Sequence, residues 1–66
     1  MKKYFIRKYR YAGMYTEWKE VTREVALHKS QVEVDGYCPY EVIHIESIEA
    51  FEKGDFYVQW EAHRLD

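Results

Sequence analysis

Read for alternation of apolar and polar positions, the chain divides into short segments set off by Gly13, Gly36 and Gly54. Residues 3–11 read as a strand, with Lys3, Phe5, Arg7, Tyr9 and Tyr11 on one side and Tyr4, Ile6, Lys8 and Arg10 on the other. Neither side is purely apolar, which suits an edge strand whose charges discourage pairing with another chain. Ala12-Gly13-Met14 is a turn, and residues 15–21 return as a second strand. Thr22 is suited to cap a helix over Arg23–Val34, with Glu24 in its first turn and Asp35-Gly36 at its end. Two other readings compete there. One is a longer helix from Thr16, because Trp18, Val21, Val25, His28 and Val32 fall at helical spacing; the other is two strands joined near His28–Gln31.

Tyr37-Cys38-Pro39-Tyr40 is a connector, since Pro39 has no amide hydrogen for a central ladder. Residues 41–51 read as a strand, and a bulge near Glu46-Ser47 brings Ile48 to the side of Ile43 and Ile45. After a turn at Glu52-Lys53-Gly54-Asp55, Phe56, Val58, Trp60 and Ala62 alternate with Tyr57, Gln59, Glu61 and His63. That pattern predicts a half-buried strand with Trp60 in the core. The expected fold is therefore α+β in the order ββαββ. About four strands form an antiparallel sheet, one helix covers one face, and the other face is open and rich in tyrosine. A nearly all-β fold is the alternative.

Composition agrees with strands. Valine, isoleucine and threonine together number twelve, against two leucines, and asparagine is absent, so no Asn-Gly hairpin turn is available. At 66 residues the chain is a single domain with a small core, a size that disfavours an enzymatic cleft. Twelve aromatic residues, seven of them tyrosine, exceed what such a core can hold, so some must face water or a partner. No apolar run is long enough to span a membrane, and no apolar stretch follows the first basic residues as a secretory signal requires. The single cysteine, Cys38, fits a reducing cytoplasmic setting.

Charge changes the picture further. Residues 1–11 carry Lys2, Lys3, Arg7, Lys8 and Arg10 and no acid, whereas residues 12–66 carry five basic and twelve acidic side chains. Basic residues interleaved with aromatics are what single-stranded nucleic acid uses, through phosphate attraction and base stacking. The competing reading pairs these cations with Glu17, Glu20 and other acids across the sheet, and the acidic remainder of the chain favours it.

The remaining chemistry is sparse. His28, His44, His63 and Cys38 lack the close spacing of a zinc site. Glu46, Glu49, Glu52 and Glu61 read as a solvated acidic face rather than paired catalytic carboxylates. Cys38 has no flanking cation, and no glycine belongs to a phosphate loop. No catalytic residue, metal or cofactor is assigned.

The expectation is a non-enzymatic protein-binding domain acting by occlusion or recruitment. Its surface is an aromatic sheet face comprising Tyr4, Tyr9, Tyr11, Tyr15, Trp18 and Tyr57, rimmed by Arg7, Arg10 and Glu61, and its partner is another protein or a second copy. The alternative is single-stranded nucleic-acid binding through Lys2, Lys3, Arg7, Lys8 and Arg10. In size and composition the chain resembles short orphan proteins of phages and mobile elements. Many of these bind a host protein, so the resemblance implies inhibition of a host defence protein as one form of the first reading.

Overall fold

A computed structural model describes residues 1–65. Three strands and three helices follow in the order β1 (Lys3–Lys8), β2 (Lys19–Val21), α1 (Arg23–Ser30), β3 (Tyr40–Ile45), α2 (Ile48–Glu52) and α3 (Phe56–Ala62). The class is α+β, but three strands replace the expected four, and three helices replace one.

The sheet order is β2-β1-β3, and β1 is antiparallel to both neighbours. β1 is therefore the central strand and not an edge. Two of its three charges, on Lys3 and Arg7, are tolerated there because acids on the flanking strands meet them, and Lys8 is exposed at the strand end. Arg7 lies directly opposite Glu41 and donates to it at 2.9 Å, while Lys3 Nζ lies 3.6 Å from Glu20. The two outer strands run parallel to each other, and α1 is the crossover that joins them.

Alternation places Phe5, Ile43 and Ile45 on one face of the sheet. They pack with Ala62 of α3, and Ile48, Phe51, Val58 and Trp18 close around them. Tyr4, Ile6, Val42, His44 and Tyr40 occupy the other face, where α1 lies; its Ala26 is fully buried and its Lys29 sits over the Tyr40 ring. Both faces are covered, so the open tyrosine-rich face expected from the sequence does not exist. Tyr4 is instead half-buried, stacked on His44 with ring centroids 4.0 Å apart, and its hydroxyl donates to the Leu65 carbonyl.

Local capping explains the helices. Thr22 is the N-cap of α1, and its hydroxyl accepts from the Val25 amide at 3.2 Å. The helix stops at Ser30, short of the expected Val34. The Ser30 hydroxyl donates to the Leu27 carbonyl at 2.7 Å, and the Cys38 thiol contacts the Lys29 carbonyl at 3.4 Å, so carbonyls at this helix end find partners without another helical turn. Asp35-Gly36 then forms a separate tight turn, with reciprocal backbone bonds between Val34 and Tyr37.

β3 ends at Ile45 because Ser47 starts a helix, its hydroxyl accepting from the Ala50 amide. The expected bulge at Glu46-Ser47 is thus a strand-to-helix junction. Gly54, at φ +85°, closes α2 in a left-handed cap: its own amide bonds to Phe51, and that of Asp55 bonds to Ala50. Asp55 at once begins α3, its carboxylate accepting from the Val58 amide at 3.1 Å. The expected last strand is therefore a helix. Positions four apart satisfy both periods, so Val58 and Ala62 share an inward helical face just as they would share one face of a strand.

Residues 15–18 lie outside β2, although Tyr9 and Tyr15 form an isolated bridge. Between them, Ala12 (φ 51°) and Gly13 (φ 78°) are the central pair of a type I′ turn closed by the Met14 amide on the Tyr11 carbonyl at 2.8 Å. Alanine is strained in this region, whereas Asn-Gly is the favoured pair. Ala12→Asn is expected to stabilise the fold by about 0.5–1 kcal/mol and raise Tm by roughly 3–6 °C in a thermal melt. An unchanged or lower Tm would mean that the turn relaxes without strain.

Candidate interaction surface

The surface begins with α3. Val58 and Ala62 turn inward, which by helical geometry turns Phe56, Tyr57 and Trp60 outward. These three side chains are 74%, 76% and 59% exposed. Phe56 and Tyr57 touch edge to face with centroids 5.8 Å apart, and the Arg64 guanidinium lies 4.4 Å from the Trp60 centroid. Three large rings on seven residues of helix, each more than half in water, form an apolar patch of the kind that marks interaction sites.

Next to the patch lies a groove of about 320 Å³ between the end of β3 and the α2–α3 pair. Ile45, Ala50 and Val58 contribute its more buried lining, while Tyr57, Glu46 and Glu61 are exposed. Lys2 reaches the same groove, its ammonium 3.6 Å from Glu61.

A second aromatic group surrounds the β1–β2 connection. The Arg7 guanidinium lies 4.1 Å from the Tyr15 centroid and 4.5 Å from that of Trp18, and it pairs with Glu41. Tyr9 packs edge to face on Tyr15, and its hydroxyl accepts from the Gly13 amide. Trp18 is half-buried, edge-on against Phe51. Tyr11 and Tyr37 are the more exposed rings here, at 64% and 78%.

The residues proposed from the sequence as one partner-binding face are therefore dispersed. Tyr4 is committed to His44 and Leu65, and Arg7, Tyr9, Tyr15 and Trp18 form an internally packed cluster. Tyr11 and Arg10 lie exposed near the hairpin tip, whereas Tyr57 and Glu61 lie on α3. Phe56 and Trp60 were absent from the expected surface, and Trp60, expected in the core, is exposed. Asp55 followed by Val58 and Ala62 was the signal for a capped amphipathic helix.

The basic residues divide in the same way. Lys2, Lys3 and Arg7 each face a carboxylate, of Glu61, Glu20 and Glu41 respectively. Glu17 takes no part in these pairs. Lys8 lies on the α1 side of the sheet, its ammonium 5.9 Å from the Tyr40 centroid, while Arg10 is exposed. His44 stacks on Tyr4, and among the described residues no three His, Cys, Asp or Glu side chains converge as a metal site would require. No described helix is long and apolar enough to cross a membrane. No family model, curated protein or solved structure matches the chain.

Proposed function

We propose that this chain is a non-enzymatic protein-binding domain that works by occlusion or recruitment, through the outer face of α3. The observation that carries this reading is the exposure of Phe56, Tyr57 and Trp60 on a helix already anchored by Val58 and Ala62. Aromatic rings held on a short, capped helix lose little freedom on binding and carry a large apolar area. The tyrosines of the β1–β2 connection are weaker candidates, because Tyr9 and Tyr15 already pack on each other and on Arg7. Nucleic-acid binding has less support, since Glu61 and Glu20 set negative charge beside Lys2 and Lys3, where a phosphate would be repelled, and Arg7 is held part-buried by Glu41.

The test is capture from a lysate by the immobilised chain, with and without nuclease, alongside sedimentation of the chain alone. Phe56→Ala combined with Trp60→Ala is expected to weaken association at least about 30-fold, the effect of removing a ring that anchors an interface. Circular dichroism should stay the same, because neither ring is buried. Tyr9→Ala with Tyr11→Ala should leave capture intact. Equal capture by the α3 variant, or capture that vanishes with nuclease, would sink this reading.

A further inference from the structure

We infer that the groove beside α3 is a clasp for a basic side chain, and that the partner of the aromatic face is a segment bearing arginine or lysine. This inference rests on the α3 reading and names its partner chemistry. Three observations meet here. The groove joins an apolar lining of Ile45, Ala50 and Val58 to an exposed ring, Tyr57, and two exposed carboxylates, Glu46 and Glu61. An extended cationic side chain needs this combination: apolar surface for its methylenes, an aromatic ring for its charged head, and carboxylates to neutralise it.

The groove and helix also already hold cations from the chain itself. Lys2 Nζ lies 3.6 Å from Glu61 within the groove, and the Arg64 guanidinium lies over Trp60. Both are surface contacts, with Lys2 and Glu61 side chains 43% and 50% exposed, so an incoming cation can compete with Lys2 at little cost. Glu46 has no ion-pair partner among the described residues, which leaves a carboxylate at the groove for a second cation.

The wider field has the same sign. From Glu46 to Ala62 the chain carries Glu46, Glu49, Glu52, Asp55 and Glu61 against Lys53, and with Lys2 and Arg64 counted beside them the balance stays acidic. An acidic partner would be repelled by this surface and a neutral one would gain nothing from its charge; a basic one is drawn to it.

The experiment uses the full chain and a fluorescein-labelled peptide of alternating arginine and leucine, read by anisotropy. Its twin carries citrulline in place of arginine, which keeps the shape and removes the charge. The arginine peptide should bind at least about tenfold more tightly than the citrulline twin, and its affinity should fall as salt rises. Glu46→Gln with Glu61→Gln should weaken it by roughly tenfold, two partly exposed ion pairs being lost. Glu24→Gln with Glu33→Gln removes the same charge away from the groove and should change it less than about twofold. Lys2→Ala should strengthen binding about twofold by freeing Glu61.

Equal loss in both double variants would show only general attraction to an acidic protein and overturn the clasp. Equal binding of the two peptides would overturn it as well, as would sedimentation showing a second copy as the occupant. In each case the α3 reading survives if the Phe56/Trp60 variant still abolishes capture of a protein partner, and it fails with the clasp if that variant changes nothing.

Discussion

Ile43→Ala is expected to cause the largest loss of stability of any single truncation in this chain. Among the described residues Ile43 is the one large side chain with no exposed surface, and it sits in the β3 strand at the contact between the sheet and α3. Truncation removes buried methylene and methyl groups and leaves a cavity beside Phe5 and Ala62, which relaxation fills only in part. The expected cost is about 2–5 kcal/mol, or a fall in Tm of roughly 10–30 °C. A domain of this size has about 3–10 kcal/mol in total, so a large share of its stability is at stake. Ile43→Val should cost only about 1 kcal/mol, because it removes one methyl and keeps the branched shape. Thermal melts of both variants provide the check. A loss below about 1 kcal/mol for alanine would mean that the sheet-to-α3 contact is not the structural centre.

Arg7→Ala should come second. The side chain is 29% exposed, and its guanidinium bonds to Glu41 at 2.9 Å and lies against the rings of Tyr15 and Trp18. Truncation loses a charge-assisted hydrogen bond and two ring contacts, and leaves Glu41, 25% exposed, without its cation. The expected cost is about 2–3 kcal/mol. Arg7→Lys keeps the charge but loses the planar group that stacks on the rings, so it should recover only part of the loss. Arg7→Met combined with Glu41→Leu should recover most of it, since apolar residues of similar size can replace a desolvated pair. A double-mutant cycle with Glu41→Gln separates the ion pair from the ring contacts. Negligible coupling in that cycle, with the single loss unchanged, would assign the stabilisation to packing alone.

The identity of Arg7 shows why function was hard to read from residue type. A cation in a stretch where basic residues alternate with Tyr4, Tyr9 and Tyr11 has the composition of a nucleic-acid contact. In the fold, the same arginine is the cross-strand partner of Glu41, 34 positions away. The charge asymmetry was visible from the start, but which acids answered which bases depended on strand order. The aromatic excess was equally visible, and three of its rings are the proposed surface. Tyr57 was expected at a surface, whereas Phe56 and Trp60 were expected inward with Val58 and Ala62, because a spacing of four serves a strand face and a helix face alike. Ser47 and Asp55 are the local signals for two helices, each accepting from the amide three positions on.

By itself the sequence determined features that depend only on near neighbours. These are the strand at β1, the Thr22 cap and start of α1, the turns at Gly13 and Gly54, and the strand through Ile43 and Ile45. Each rests on a side chain, an amide or a φ value within a few residues. The tertiary structure alone decided the rest: that β1 is central, that helices cover both faces of the sheet, and which of the two periods open to residues 56–62 is realised. Those outcomes depend on burial shared among distant segments. Phe5, Ile43, Ile48, Phe51, Val58 and Ala62 make one core only when two helices lie across the strands, and that shared burial leaves Phe56, Tyr57 and Trp60 facing water.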